Sequence, residues 1–172
     1  MVSIIFVSSM TFISCSKDKN EEANGSSTLN VRLTDAPGAF DEVNIDVREV
    51  KVKFSDDSTS ADGWVTLTTF PGIYNLLALQ NGVDTLLATG VFPTQVVKEI
   101  RFVLGPDNTV TDTLGVVYPL TVPSGSESGL KLKINKALDE TLETIIIDFD
   151  AALSIHQTGA GNYMLKPVLR IK

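Results

Sequence analysis

Residues 43–54 read VNIDVREVKVKF. Val43, Ile45 and Val47 alternate with polar residues, and the apolar parity then flips to Val50, Val52 and Phe54. Alternation with period two puts one set of side chains on a buried face, the pattern of a half-buried β-strand. A parity flip inside an unbroken run means one extra residue, so a β-bulge is expected near Arg48-Glu49. The stretch reads as one long bulged strand.

The same period extends on both sides. Leu29, Val31 and Leu33 alternate with Asn30 and Arg32, and Leu130, Leu132 and Ile134 alternate with Lys131 and Lys133. Further strands are expected at Trp64 to Thr69, Thr85 to Ala88, Val96 to Leu104 and Val116 to Leu120. Thr144 to Phe149 is apolar until Asp148, which predicts a central strand covered on both faces. In Tyr163 to Ile171, Pro167 predicts an edge or bulged strand. Turn chemistry separates the runs, as at Ala36-Pro37-Gly38, Asn81-Gly82 and Gly105-Pro106-Asp107-Asn108. No segment keeps a 3.6 period over three turns; one-turn helices are expected only at Tyr74 to Leu79 and Lys136 to Glu140. Eight or nine short strands imply an all-β chain, a single β-sandwich with Greek-key-like connections. Trp64, at a strand start, is expected in its core.

The 172 residues carry 14 Lys and Arg against 21 Asp and Glu, a net charge of −7. Nucleic-acid binding, which needs an electropositive face, is not expected. A single Cys excludes a disulfide framework within one chain, and a single His excludes a multi-histidine metal cage. Residues 1–14, MVSIIFVSSMTFIS, are uncharged and too short for a bilayer span of about 20 residues, but suit the apolar region of an export signal. Phe12-Ile13-Ser14-Cys15 resembles a bacterial lipobox, in which the cysteine is acylated after cleavage. Phe12 stands in place of the usual Leu, and no basic residue precedes the apolar run. Behind Cys15 the polar segment to Ser27 reads as a tether spanning about 20 Å. Its charged opening resembles a Bacteroidetes surface-export signal. The chain thus divides into 1–14 signal, 15–27 acylated Cys and tether, and 28–172 domain. The expected location is the outer membrane, facing the cell surface, with the periplasmic face as the alternative.

Catalytic motifs fail on inspection. Gly125-Ser126-Glu127-Ser128-Gly129 has Glu127 where a nucleophile elbow needs Ser, and Gly159-Ala160-Gly161 lacks the third glycine of a dinucleotide fingerprint. His156 has no evident nucleophile partner. Asp56, Ser58, Ser60 and Asp62 place oxygens at alternate positions, the spacing of a calcium loop. Their glycine is displaced to Gly63 and no bidentate Glu follows, so a solvated hairpin loop is the better reading; calcium is the one cofactor the spacing would suit. Asp148 and Asp150 share a strand face, and Asp35 ends the first strand. Such acids accept hydrogen bonds from loop amides, or form a ligand or ion site if the fold gathers all three. Asp57-Ser58-Thr59, Asp84-Thr85-Leu86 and Asp112-Thr113-Leu114 resemble O-glycosylation acceptors, usable only in loops.

Several phrases occur together: Leu33-Thr34-Asp35-Ala36-Pro37, Gly63-Trp64, Val122-Pro123-Ser124-Gly125, Asp148-Phe149-Asp150-Ala151 and Leu165-Lys166-Pro167-Val168. With them the chain from Thr28 to Lys172 resembles domain-of-unknown-function family 4382, found largely in bacterial lipoproteins and other exported proteins. Val91-Phe92-Pro93-Thr94 departs from the Pro-Ala-Gly turn usual there. The resemblance implies a transthyretin- or carbohydrate-binding-like sandwich and carries no catalytic residues. The expected function is a non-enzymatic, lipid-anchored envelope module that binds a glycan or other extracellular ligand. The alternative is an adhesin- or pilin-like component acting through protein contacts.

Overall fold

The computed structural model describes residues 25–36, 38–54, 63–123, 129–139 and 141–172. The signal segment, Cys15, the tether to Asn24, Pro37, the loop bearing Asp56, Ser58, Ser60 and Asp62, residues 124–128 and Glu140 lie outside the described residues.

The fold is mostly β, two sheets packed as a sandwich with one short helix among the described residues. The first sheet contains β1 (Ser26–Thr34), β4 (Thr68–Thr69), β6 (Thr85–Pro93), β11 (Leu142–Phe149) and β14 (Leu169–Ile171), in the order β14-β11-β1-β6-β4. The second is built on β2 (Glu42–Phe54) and β7 (Val96–Leu104), flanked by β10 (Leu130–Ala137). It continues from β2 through β8 (Thr109–Thr111), β9 (Val117–Thr121), β13 (Tyr163–Leu165) and β12 (Ile155–Gln157). Two further strands, β3 (Trp64–Thr66) and β5 (Gly72–Asn75), pair with β2. The described strands number fourteen, more than the eight or nine expected, because the runs Trp64 to Thr69 and Tyr163 to Ile171 divide between the sheets and β5, β8 and β12 were not expected.

The core lies between the sheets. Leu29 and Val31 of β1 and Ile145 and Ile147 of β11 face Val50, Val52 and Ile100 from β2 and β7, all at most 2% exposed. The expected bulge is present: Val47 pairs with Leu104 and Glu49 with Val103, leaving Arg48 as the extra residue. That insertion lets Val43 and Val50, seven positions apart, both point inward.

Four expectations change. Backbone pairing starts at Ser26, opposite Pro93, and Ser27 is 1% exposed, so the folded part begins two residues before Thr28. β11 is central, between β1 and β14, but its faces alternate: Ile145 and Ile147 are buried, whereas Thr144 is exposed and Ile146 half-buried. Around Pro167 the expected single strand divides: the chain leaves β13 in one sheet for β14, which lies at the edge of the other as expected; with no N–H to donate, the proline suits this break. Of the two helical candidates, Leu76–Leu79 forms a 3-10 turn capped by Asn75, whose Oδ1 accepts from the Leu77 amide at 3.1 Å. Lys136 and Ala137 belong to β10 instead. The α-helix present is a single turn, α1 (Ala151–Ser154).

Candidate functional site

The fold gathers Asp35, Asp148 and Asp150 at one end of the first sheet. β1 and β11 run parallel, with Thr34 beside Asp148, so Asp35 leaves its strand next to the acids that close β11. Asp150 caps α1, accepting from the Leu153 amide at 3.0 Å through Oδ1. Its Oδ2 accepts from Arg170 at 2.8 Å, and the same guanidinium nitrogen reaches Asp148 Oδ2 at 3.3 Å. Asp35 Oδ1 accepts from the Ala151 amide at 2.9 Å, and Oδ2 from the Gln80 amide group at 3.3 Å. Burial pushes the Asp35 carboxyl above its ordinary value, the Ala151 and Gln80 donors counter this, and the nearby Asp148 charge adds to the rise.

This is the chemistry of a structural clamp. Five of the six carboxylate oxygens face α1 amides, Gln80 or Arg170. The sixth, Asp148 Oδ1, is buried without a hydrogen-bond partner among the described residues. Among those residues no group of three or more His, Cys, Asp or Glu is placed to hold a metal ion. The trio ties β1, β11, β14 and α1 together. His156 is exposed on β12, opposite Met164.

A second cluster was invisible in the periodicity. Asp46 sits at an outward position of β2 yet is 1% exposed, because the turn from Gly105 to Asn108 folds over it. Its Oδ2 accepts from Arg48 at 2.6 Å and from the Asp107 amide at 3.3 Å. Asn108 Oδ1 accepts from the Asp46 amide at 2.9 Å, and the Gly105 amide donates to the Asp46 carbonyl at 2.8 Å. Only the co-occurrence of an Asp two residues before the bulge and a Gly-Pro-Asp-Asn turn hinted at it.

The outer face of the second sheet holds a third constellation. Trp64 pairs with Lys53 across β3 and β2, and cross-strand partners share a face, so the indole lies outside rather than in the core. The Arg101 guanidinium stacks on its ring, 3.9 Å from the centroid. Lys51, Lys53, Arg101, Lys131 and Lys133 are all in register on this face.

The acceptor triplets separate as well. Thr85 pairs with Leu33 inside β6, whereas Thr113 is exposed in the turn between β8 and β9. There Asp112 Oδ1 accepts from the Leu114 and Val116 amides, both at 2.9 Å.

Fold and clusters together define a mostly-β, two-sheet sandwich whose gathered acids serve as struts. The chain belongs to the family described as Domain of unknown function (DUF4382), whose model matches residues 26–167. The match begins at the first residue of β1 and ends before β14. No curated protein and no solved structure matches the chain significantly.

Proposed function

We propose that this chain is a non-catalytic binding module of the cell envelope. In this reading it is anchored through acylated Cys15 to the outer membrane, displayed at the cell surface, and takes a glycan as ligand. The address rests on the lipobox-like Phe12-Ile13-Ser14-Cys15 and the polar segment behind it. The finer architecture belongs to the same proposal: a transthyretin- or carbohydrate-binding-like sandwich with Greek-key-like connections. The observation that carries the binding reading is the polar outer face across β10, β7, β2 and β3, with Trp64, half-buried and stacked by Arg101, on its rim. An aromatic ring beside polar side chains is the usual platform for a sugar. The acids contribute to the non-catalytic reading, since five of their six oxygens are engaged by internal donors and the sixth is buried.

An adhesin acting by strand addition would need an open, regular edge. β10 pairs only with β7 among the described strands, but its register shifts between Lys133 and Lys136 and Asn135 has φ of 60°. A bulge and edge lysines oppose strand addition.

Two measurements test the proposal. The full chain is screened against a broad polysaccharide panel, with binding to at least one class expected and weakened by Trp64→Ala. No binding across the panel, accompanied by self-association, overturns the glycan reading. Cys15→Ala should move the protein from the membrane to the soluble fraction; retention on the membrane refutes the anchor.

A further inference from the structure

The outer face of the second sheet concentrates positive charge in a chain whose net charge is −7. Two rows run across it in register. One reads Lys131, Arg101, Lys51 and Thr66; the other reads Lys133, Glu99, Lys53 and Trp64. Glu49 adds a second acid beside the first row, where it pairs with Lys51 at 2.9 Å. Among the described residues five cations therefore face two acids on this patch, although the whole chain has the opposite excess. Sheet geometry sets the spacing. Same-face neighbours along a strand lie about 6.8 Å apart and adjacent strands about 4.8 Å apart. Lys51, Lys53, Lys131 and Lys133 thus root a rectangle of about 7 by 10 Å with Arg101 on one side of it. Lys53, Lys98 and Lys133 also line an adjoining concavity of about 490 Å³.

Resting on the binding reading above, we infer that this face takes a linear glycan bearing carboxylate or sulfate groups. The anionic groups lie along the lysine rows, and a sugar ring packs near Trp64. The dimensions favour a single glycan chain over other polyanions. Charge is screened over about 8 Å at physiological salt, roughly the depth of the patch. A nucleic-acid duplex or anionic bilayer extends far past it and meets the acidic remainder of the surface.

The test uses the full chain with dextran sulfate, a polyuronate and uncharged dextran as probes. Anionic phosphatidylglycerol vesicles and a single-stranded oligonucleotide serve as competitors. Dextran sulfate or the polyuronate should bind, and weaken as salt rises from about 0.05 to about 0.5 M. Lys131→Glu with Lys133→Glu should lower that affinity about tenfold or more, as reversal of rim charges does. The milder pair Lys131→Gln with Lys133→Gln should lower it less. Lys166→Glu with Lys172→Glu, exposed and off this face, should leave it unchanged. Wild-type affinity in both Lys131/Lys133 pairs overturns the inference. So does vesicle or oligonucleotide binding as tight as dextran sulfate binding. Binding of uncharged dextran alone would overturn the charge assignment and leave the glycan reading intact, whereas failure of every glycan, charged and neutral, would remove both.

Discussion

A Cβ placed on Gly105 would lie 1.9 Å from Asp46 Oδ2, 2.6 Å from Asp46 Cγ and 2.4 Å from Arg48 Nε. The Arg48 side chain is half-exposed and can swing away, but the Asp46 side chain is 1% exposed and held by Arg48 and the Asp107 amide. Gly105→Ala must therefore push a buried carboxylate off Arg48 and the Asp107 amide. Overpacking of this kind costs about 1–3 kcal/mol, and a buried polar group stripped of donors about 1–3 kcal/mol more. Because solvent reaches Arg48, the lower part of the combined range applies, about 3 kcal/mol. For a domain of this size that is a fall in Tm of roughly 6–12 °C. Urea unfolding should show a lower midpoint with an unchanged slope. Gly159→Ala is the control, since a Cβ there meets nothing within 4 Å, and should stay within about 0.5 kcal/mol of wild type. In an Asp46→Ala background the Gly105→Ala cost should shrink by about 1 kcal/mol or more. A Gly105→Ala protein as stable as the control, or equal costs in both backgrounds, would refute the reasoning.

Two other perturbations address the bulge and the acid clamp. Deleting Arg48 restores unbroken alternation from Val43 to Phe54, so the protein should still unfold cooperatively, losing about 1–3 kcal/mol with the Asp46 partner. Deleting Lys51 makes Val50 and Val52 adjacent, turns one of them outward and should abolish cooperative folding; equal damage from the two deletions, by circular dichroism melts, contradicts the register. At Asp35 burial raises the folded carboxyl above 3.8, so the folded state holds that proton more tightly than the unfolded chain. Its contribution is fully present below about pH 3.8 and is lost as pH rises through the raised value. Asp35→Asn removes this dependence, so wild type should gain stability relative to the variant on acidification through that window; parallel stability curves would contradict it.

The bulge at Arg48 was legible because side-chain parity is a local property of the chain, readable within about seven residues. β7 lies at the expected Val96 to Leu104 because Ile100, Phe102 and Leu104 alternate with polar or half-buried residues and Pro93 and Gly105 bound the run. The Asp46 cluster was not legible, because its contacts join residues about sixty positions apart and no periodic signal marks them. Trp64 was misread because the face of a three-residue strand depends on its partner, and that partner is β2. The acids Asp35, Asp148 and Asp150 were picked out by their places at strand ends, but the use of Asp35 and Asp150 as acceptors for α1 amides required α1, a four-residue turn too short to show a period.

The sequence by itself determined the long strands, the bulge, most of the inward apolar residues and the family resemblance, all of which follow from short-range pattern. Tertiary structure alone decided how the runs divide between two sheets. It made Thr34 and Asp148 neighbours in a parallel pair, and it drew lysines from β2 and β10 onto one face with Arg101 between them. Pairing between strands distant in sequence is set by the shared core and by backbone hydrogen bonds, and neither is written in the local alternation of any one strand.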